Sequence, residues 1–200
     1  DVDRLRNAGI RLVALFSPEH GFRGNADPGA SVGSTVDSAT GLPIYSLYGR
    51  TSSPADSMLA GLDVVLVDLQ DAGARYYTYL WTTANVMRAA AKNGKHVIVL
   101  DRPNPIGGAV EGNVLDTAYA SPVGLLAIPM RHGMTLGELA LLAKSYHGLA
   151  PNLTVVPVQG WRRSTYVGAT GLPFIGPHTT TRTTGPSTIL RGDVAVRVSH

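Results

Sequence analysis

The stretch DVVLVDLQDAGARYYTY, residues 63–79, passes in one step from a β-branched apolar run to a polar, glycine-broken tail. Val64 to Val67 is too short for a helix and nearly continuous in aliphatic side chains, as strands covered on both faces tend to be. Outward from it the same unit recurs. RLVALF (11–16), HVIVLD (96–101), LLAIPM (125–130) and LTVVPV (153–158) read as further strands, and helical stretches lie between them. A helix is predicted from SSPADSMLAGL (52–62), with Ser53 as N-cap, Pro54 at the first helical position and Asp56 in the first turn. A second is predicted over roughly Thr78–Lys92, stopped at Gly94, and a third from TLGELALLAKSYHGL (135–149). In the third, Thr135 and Glu138 have capping-box spacing and Gly148 terminates. Residues 24–49, rich in Gly, Ser, Asp and Pro, read as a long ordered loop. Alternating β and α units place the chain in the α/β class, a three-layer Rossmann-like sandwich with a mainly parallel sheet.

In such sheets ligands bind beyond the carboxyl ends of the strands. The first strand ends in SPEHGFRG (17–24), the second in DLQDAGARYYTY (68–79), the third in DRPNPIGG (101–108) and the fourth in PMRHGMT (129–135). Four parallel tails would gather Glu19, His20, Arg23, Asp68, Gln70, Asp71, Arg75, Asp101, Arg102, Asn104, Arg131 and His132 on one rim. Simpler roles compete at each position. Glu19 can accept turn hydrogen bonds, Asp68 can be a buried structural acid, Asp101 can bond its own Pro-rich turn, and His132 can cap the following helix. Glu111, in GGAVEGN (107–113), is by default a turn residue. Arg75 beside Tyr76, Tyr77 and Tyr79 suits either a core lining or a carboxylate-bearing sugar.

Composition narrows the chemistry. Two hundred residues with 44% hydrophobic content suffice for one domain of ordinary size. The net charge of +3 comes from 17 basic and 14 acidic residues with no basic run, so no nucleic-acid partner is expected. No apolar run reaches the length of a membrane span. Without cysteine there is neither a thiolate nucleophile nor a Cys-ligated zinc. Neither G-x-G-x-x-G nor G-x-x-x-x-G-K-[ST] nor G-x-S-x-G occurs where it would be needed, so dinucleotide, P-loop and nucleophile-elbow chemistries lose support. A metal site from Glu19, His20, Asp71 and His132 is chemically conceivable but lacks ligand spacing, and no metal or other cofactor is expected. Paired carboxylates across a sugar pocket stay attractive, since glycoside hydrolysis needs an acid and a second assisting group.

SPEHGFRG, VDLQDAGARYYTY (67–79), DRPNPIGG with VEGN (110–113), and IPMRHGMTLGELA (128–140) resemble the signatures of the exo-β-N-acetylmuramidase (NamZ-type) family, long known as a domain of unknown function, DUF1343. The resemblance covers roughly residues 5–175. It implies a Rossmann-like catalytic domain over 1–160, lacking its first strand, and the start of a truncated C-terminal domain over 161–200. It also implies release of terminal N-acetylmuramic acid from the non-reducing end of peptidoglycan fragments, in wall turnover and recycling. Glu19 then becomes the leading catalytic residue and Glu111 its partner, while His20, Arg23, Gln70, Asp71, Arg75, Arg102, Asn104 and His132 line the sugar. The partner is a peptidoglycan-derived sugar, and the expected setting of a full-length protein is secreted or periplasmic. The chain on its own is expected to be inactive. A non-catalytic sugar-binding module and a metal-dependent hydrolase are the alternatives.

The resemblance lapses after TGLPFIGP (170–177). Codons for GDVAVRVSH (192–200), read one base later, can spell G-T-W-L-F-E-S-V, which resembles the family's own continuation. The tail is therefore expected to be frameshifted. Sequencing the coding DNA checks this, and an intact reading frame there overturns it.

Overall fold

A computed structural model describes residues 2–22, 33–149, 152–171 and the backbone of 193–194. Its main sheet has the order β2-β3-β1-β9-β4-β5-β8. These strands are β1 (Leu15–Ser17), β2 (Thr35–Val36), β3 (Pro43–Ser46), β4 (Val64–Asp68), β5 (His96–Leu100), β8 (Asn152–Val156) and β9 (Asp193–Val194). The pairs β1–β3, β4–β5 and β5–β8 are parallel, and those of β2 and β9 are antiparallel. The chain is thus α/β with a mainly parallel sheet, as the alternation of elements predicts. Apart from β9, the atypical tail lies outside the described residues.

The helices are α1 (Val2–Asn7), α2 (Asp56–Leu59), α3 (Thr78–Lys92) and α4 (Leu136–Tyr146). Val65 and Val67 of β4 and Val97 and Val99 of β5 are fully buried against Val86, Met87 and Ala90 of α3 and Leu136 and Ala140 of α4. Adjacent strand residues point to opposite faces. Phe16 joins this α3/α4 core, whereas Leu15 joins Ile44 and Phe22, with Val2 of α1 packed against them. The sheet therefore lies between α1 on one face and α2, α3 and α4 on the other.

Three expectations need correction. LLAIPM is not a strand of the main sheet: β7 (Pro129–Arg131) pairs antiparallel with β6 (Glu111–Val114) in a separate two-stranded sheet. The fourth tail reaches the rim from that hairpin, where Leu126 and Ile128 bury against Leu80 and Trp81 of α3. The helix at 52–62 shrinks to four residues with Ala55 as an N-cap that makes no side-chain bond. Ser53 Oγ instead donates to the Asn85 carbonyl, 3.4 Å away on α3, so tertiary contact displaces the local cap. Finally, part of the loop at 24–49 is strand. PIYS (43–46) lies parallel to β1, in register from Leu15–Ile44 to Ser17–Ser46, and was masked in sequence by its flanking turn residues.

The third helix begins as its spacing predicts. Thr135 Oγ1 accepts from Glu138 N and Glu138 Oε2 accepts from Thr135 N, a full capping box. The same hydroxyl donates to Asp101 Oδ2 at 2.9 Å, and Gly137 N donates to Asp101 Oδ1 at 2.7 Å, tying the end of β5 to the start of α4. That approach leaves no room for a side chain at 137: a Cβ there would sit 2.8 Å from Asp101 Cγ and 2.6 Å from Val155 Cγ1. Thr135→Ala removes the cap and one partner of Asp101 together. It is expected to cost about 1–3 kcal/mol, read as a lowered urea midpoint with unchanged slope; an unmoved midpoint would show the cap to be idle.

Candidate active site

The turn after β1 is built around an unusual backbone. His20 has φ +72° and Gly21 φ +80°, and His20 is the one non-glycine residue with positive φ among the described residues. A left-handed side-chain-bearing residue persists only where its surroundings impose the conformation. Here α3 does so. Tyr79 Oη donates to the Glu19 carbonyl at 3.2 Å, and Thr78 Oγ1 donates to Glu19 Oε2 at 2.7 Å. Consecutive residues of the first helical turn thus hold the backbone and the carboxylate of one glutamate.

A second hydroxyl reaches the same carboxylate. Tyr48, in the turn after β3, hydrogen-bonds Glu19, and its phenol is raised above the ordinary range by burial first, then by that bond and by the charge of Glu19. Tyr77 stands beside them with its ring centroid 4.7 Å from that of Tyr79. Burial pushes its phenol far above the usual range, and Tyr79, Asp71 and Glu19 add to the shift. Tyr48 and Tyr77 therefore remain protonated donors at neutral pH. Neither Tyr48 nor Thr78 stands out in the sequence, because each enters the site from an element whose neighbourhood is set only by the parallel pairing of β1 with β3 and the docking of α3.

The tail of β4 is tied at most of its polar groups, although Asp71 Oδ1 and the facing His132 Nε2 are buried without a hydrogen-bond partner among the described residues. Asp68, at the strand's end, pairs with Arg102: both Arg102 Nε, at 2.8 Å, and Nη2 donate to Asp68 Oδ1. Gln70 Nε2 donates to the carbonyls of Asp71 and Pro103 at 2.8 and 3.0 Å. Asp71 Oδ2 accepts from Gly73 N at 2.7 Å and lies 3.3 Å from His132 Nε2. His132 Nδ1 accepts from Met134 N, so the hydrogen-bond network assigns the imidazole proton to Nε2, facing Asp71. Arg75 Nη1 donates to the carbonyls of Asn113 and Ile128 at 2.7 and 2.8 Å, and its own carbonyl accepts from Trp81 Nε1. Asn104, 1% exposed, binds the Met134 carbonyl through Nδ2 and Ile106 N through Oδ1.

The structure therefore places Glu19 and His20 in the first tail, Gln70, Asp71 and Arg75 in the second, and Arg102 and Asn104 in the third, with His132 joining from the hairpin. Glu111 stands apart from that buried network: it is exposed on β6 and pairs with Arg131 at 3.1 Å. Arg23 lies outside the described residues. Asp101 is taken up by α4, and His132 does bond the backbone ahead of that helix.

The model of a family described as exo-β-N-acetylmuramidase NamZ, N-terminal, matches residues 1–184. The chain belongs to this family. Peptidoglycan β-N-acetylmuramidase NamZ of Bacillus subtilis (strain 168) is 50% identical over 172 residues, which make up 86% of this chain and 42% of that protein. Two crystal structures of DUF1343 family proteins from Bacteroides fragilis NCTC 9343 share the fold. One has a TM-score of 0.80 at 47% identity and covers 88% of this chain and 45% of its own. The other has a TM-score of 0.71 at 42% identity, with coverage of 82% and 44%. The chain thus spans less than half the length of each of these relatives.

The Asp68–Arg102 pair joins two of the strand tails while nearly buried, its side chains 5% and 17% exposed. Removing one partner leaves the other's charge without compensation. Asp68→Ala is expected to destabilise the fold by about 2–4 kcal/mol, measured by urea denaturation. A midpoint equal to wild type would show that the pair does not hold the rim.

Proposed function

We propose that this chain carries the catalytic half of a β-N-acetylmuramidase that releases N-acetylmuramic acid from the non-reducing ends of peptidoglycan fragments. In this reading residues 1–160 form the Rossmann-like catalytic domain and 161–200 begin a second one. The observation that carries it is the fixed geometry of Glu19, a carboxylate held by two hydroxyl donors at the carboxyl rim of a parallel sheet, in a chain 50% identical to a protein named for that activity. A glycosidase needs a carboxyl group whose position is settled before the sugar arrives.

Glu19 is the proposed catalytic residue, with Glu111 as its partner carboxyl brought in from β6. His20, Arg23, Gln70, Asp71, Asn104 and His132 shape the sugar site, several of them by fixing loops. Arg75 and Arg102 are proposed to read the lactyl carboxylate, the group that separates N-acetylmuramic acid from N-acetylglucosamine. A guanidinium has five N–H donors in a planar fork, so the bonds that Arg75 makes to carbonyls and Arg102 to Asp68 orient it for a further acceptor.

Incubating the intact protein with a chromogenic β-N-acetylmuramide tests the reading. Turnover is expected, and saturable binding without release of the chromophore would instead mark a sugar-binding module. Glu19→Gln keeps the shape of the side chain and is expected to lower kcat by about 10²–10⁴-fold; near-wild-type turnover would remove Glu19 from the chemistry. Arg75→Ala and Arg102→Ala are expected to narrow the preference for the muramide over the matching β-N-acetylglucosaminide. If both variants keep the wild-type ratio of kcat/KM values, neither arginine reads the carboxylate.

A further inference from the structure

Glu19 is held from two sides. Thr78 reaches it from the first residue of α3, with its hydroxyl 2.7 Å from Oε2, and Tyr48 reaches it from the turn that follows β3. The backbone of that turn is itself braced: Tyr48 N donates to Ser46 Oγ at 3.3 Å, and Ser46 Oγ donates to the Tyr48 carbonyl at 3.0 Å. The Glu19 carbonyl is pinned separately by Tyr79 Oη. Two features follow from the chemistry of these groups. A tyrosine or threonine hydroxyl has a single proton to give, and here each gives it to the carboxyl group. A carboxyl that accepts from hydroxyls is best served as the ion, which offers four lone-pair sites and has no proton of its own to place.

We infer that Tyr48 and Thr78 are positioning residues that hold Glu19 as a carboxylate, so that this side chain enters the reaction as a proton acceptor or charge-stabilising group and not as the proton donor. The inference deepens the glycosidase reading above, on which the catalytic role of Glu19 rests. It divides the labour that glycoside hydrolysis requires: protonation of the leaving oxygen falls to a group other than Glu19. The remaining titratable neighbours agree with a site arranged around an anion. Tyr48, Tyr77 and Tyr79 all present phenols to this region, and the burial that raises Tyr48 and Tyr77 keeps those two as donors. Asp71, whose charge Tyr77 also feels, works against a second anion here, so the hydroxyl donors are what favours the ionised form of Glu19.

The sequence makes a direct test practical, because the 200-residue chain contains three glutamates: Glu19, Glu111 and Glu138. Labelling the full chain with [13Cδ]glutamate yields three carboxyl signals, and Glu19→Gln identifies one of them by its loss. Titrating these signals requires no substrate and no turnover, so the result stands whether or not the muramidase reading does. Tyr48→Phe and Thr78→Val each remove one hydroxyl while keeping the shape of the side chain. In either variant the Glu19 signal is expected to titrate about one pH unit higher than in wild type, the scale of one hydrogen bond to a charged group. Glu138, paired with Arg163, stays in place as the internal control. Thr78→Ser restores a hydroxyl and is expected to restore the wild-type midpoint. Should Tyr48→Phe fail to fold, the Val and Ser pair at 78 decides alone. In the intact enzyme the same variants are expected to lower kcat about tenfold, to leave KM within twofold, and to move the acidic limb of the pH profile upward. A Glu19 midpoint unchanged in the hydroxyl-deleted variants, or moved downward, overturns the inference.

Discussion

The polar tail of β4 is the constraint on which the rest of the rim depends. Every functional-looking side chain between 68 and 75 reaches out of its own loop. Asp68 crosses to Arg102, Gln70 to the Pro103 carbonyl, Asp71 to His132, and Arg75 to the carbonyls of Asn113 and Ile128. β4 lies inside the main sheet, and its Val65 and Val67 are fully buried, so its carboxyl end is anchored in the core. Loops alone would leave the rim free to move. Tied one by one to this tail, they inherit the rigidity of the core, as a site built for preorganised chemistry requires.

Much of this arrangement was legible in the sequence. The apolar runs at 63–69 and 96–101 gave strands at the right places because each combines β-branching with a length too short for a helix. The helix from Thr78 to Lys92 falls where the pattern put it, and the Thr135/Glu138 box forms as its spacing requires. What was not legible depended on tertiary partners. LLAIPM reads as a parallel strand because apolarity does not encode which sheet a strand joins; its pairing with EGNV (111–114) is decided across fifteen residues or more. The Ser53 cap failed because α3 offered that hydroxyl a better-placed acceptor.

The candidate site divides along the same line. Residue types that bind sugars also tie loops, and one-dimensional spacing does not separate the two uses. Glu19 was recognisable from SPEHG, since Gly21 with its positive φ and the polar cluster mark a turn that a strand aims. Gln70 and Asn104 were equally conspicuous, yet their side-chain amides are engaged with backbone groups, which is the commonest destination of a buried amide. Tyr48 and Thr78 gave no signal at all. A lone tyrosine in SLYGR (46–50) and a threonine at a helix start carry meaning only once the fold sets them against Glu19.

The left-handed backbone at His20 shows how these layers combine. A side-chain-bearing residue in that conformation costs on the order of 1–3 kcal/mol, and the local sequence offers little in return. The compensation comes from α3, whose first turn supplies the Thr78 and Tyr79 hydroxyls to the residue just before the strained one. That turn can bear the load because the helix behind it is packed throughout: Tyr79, Leu80, Trp81, Thr82, Thr83 and Ala84 are all buried, and Trp81 also anchors the loop at Arg75. Strain in the β1 turn, hydrophobic burial along α3 and the orientation of one carboxylate are therefore one linked system.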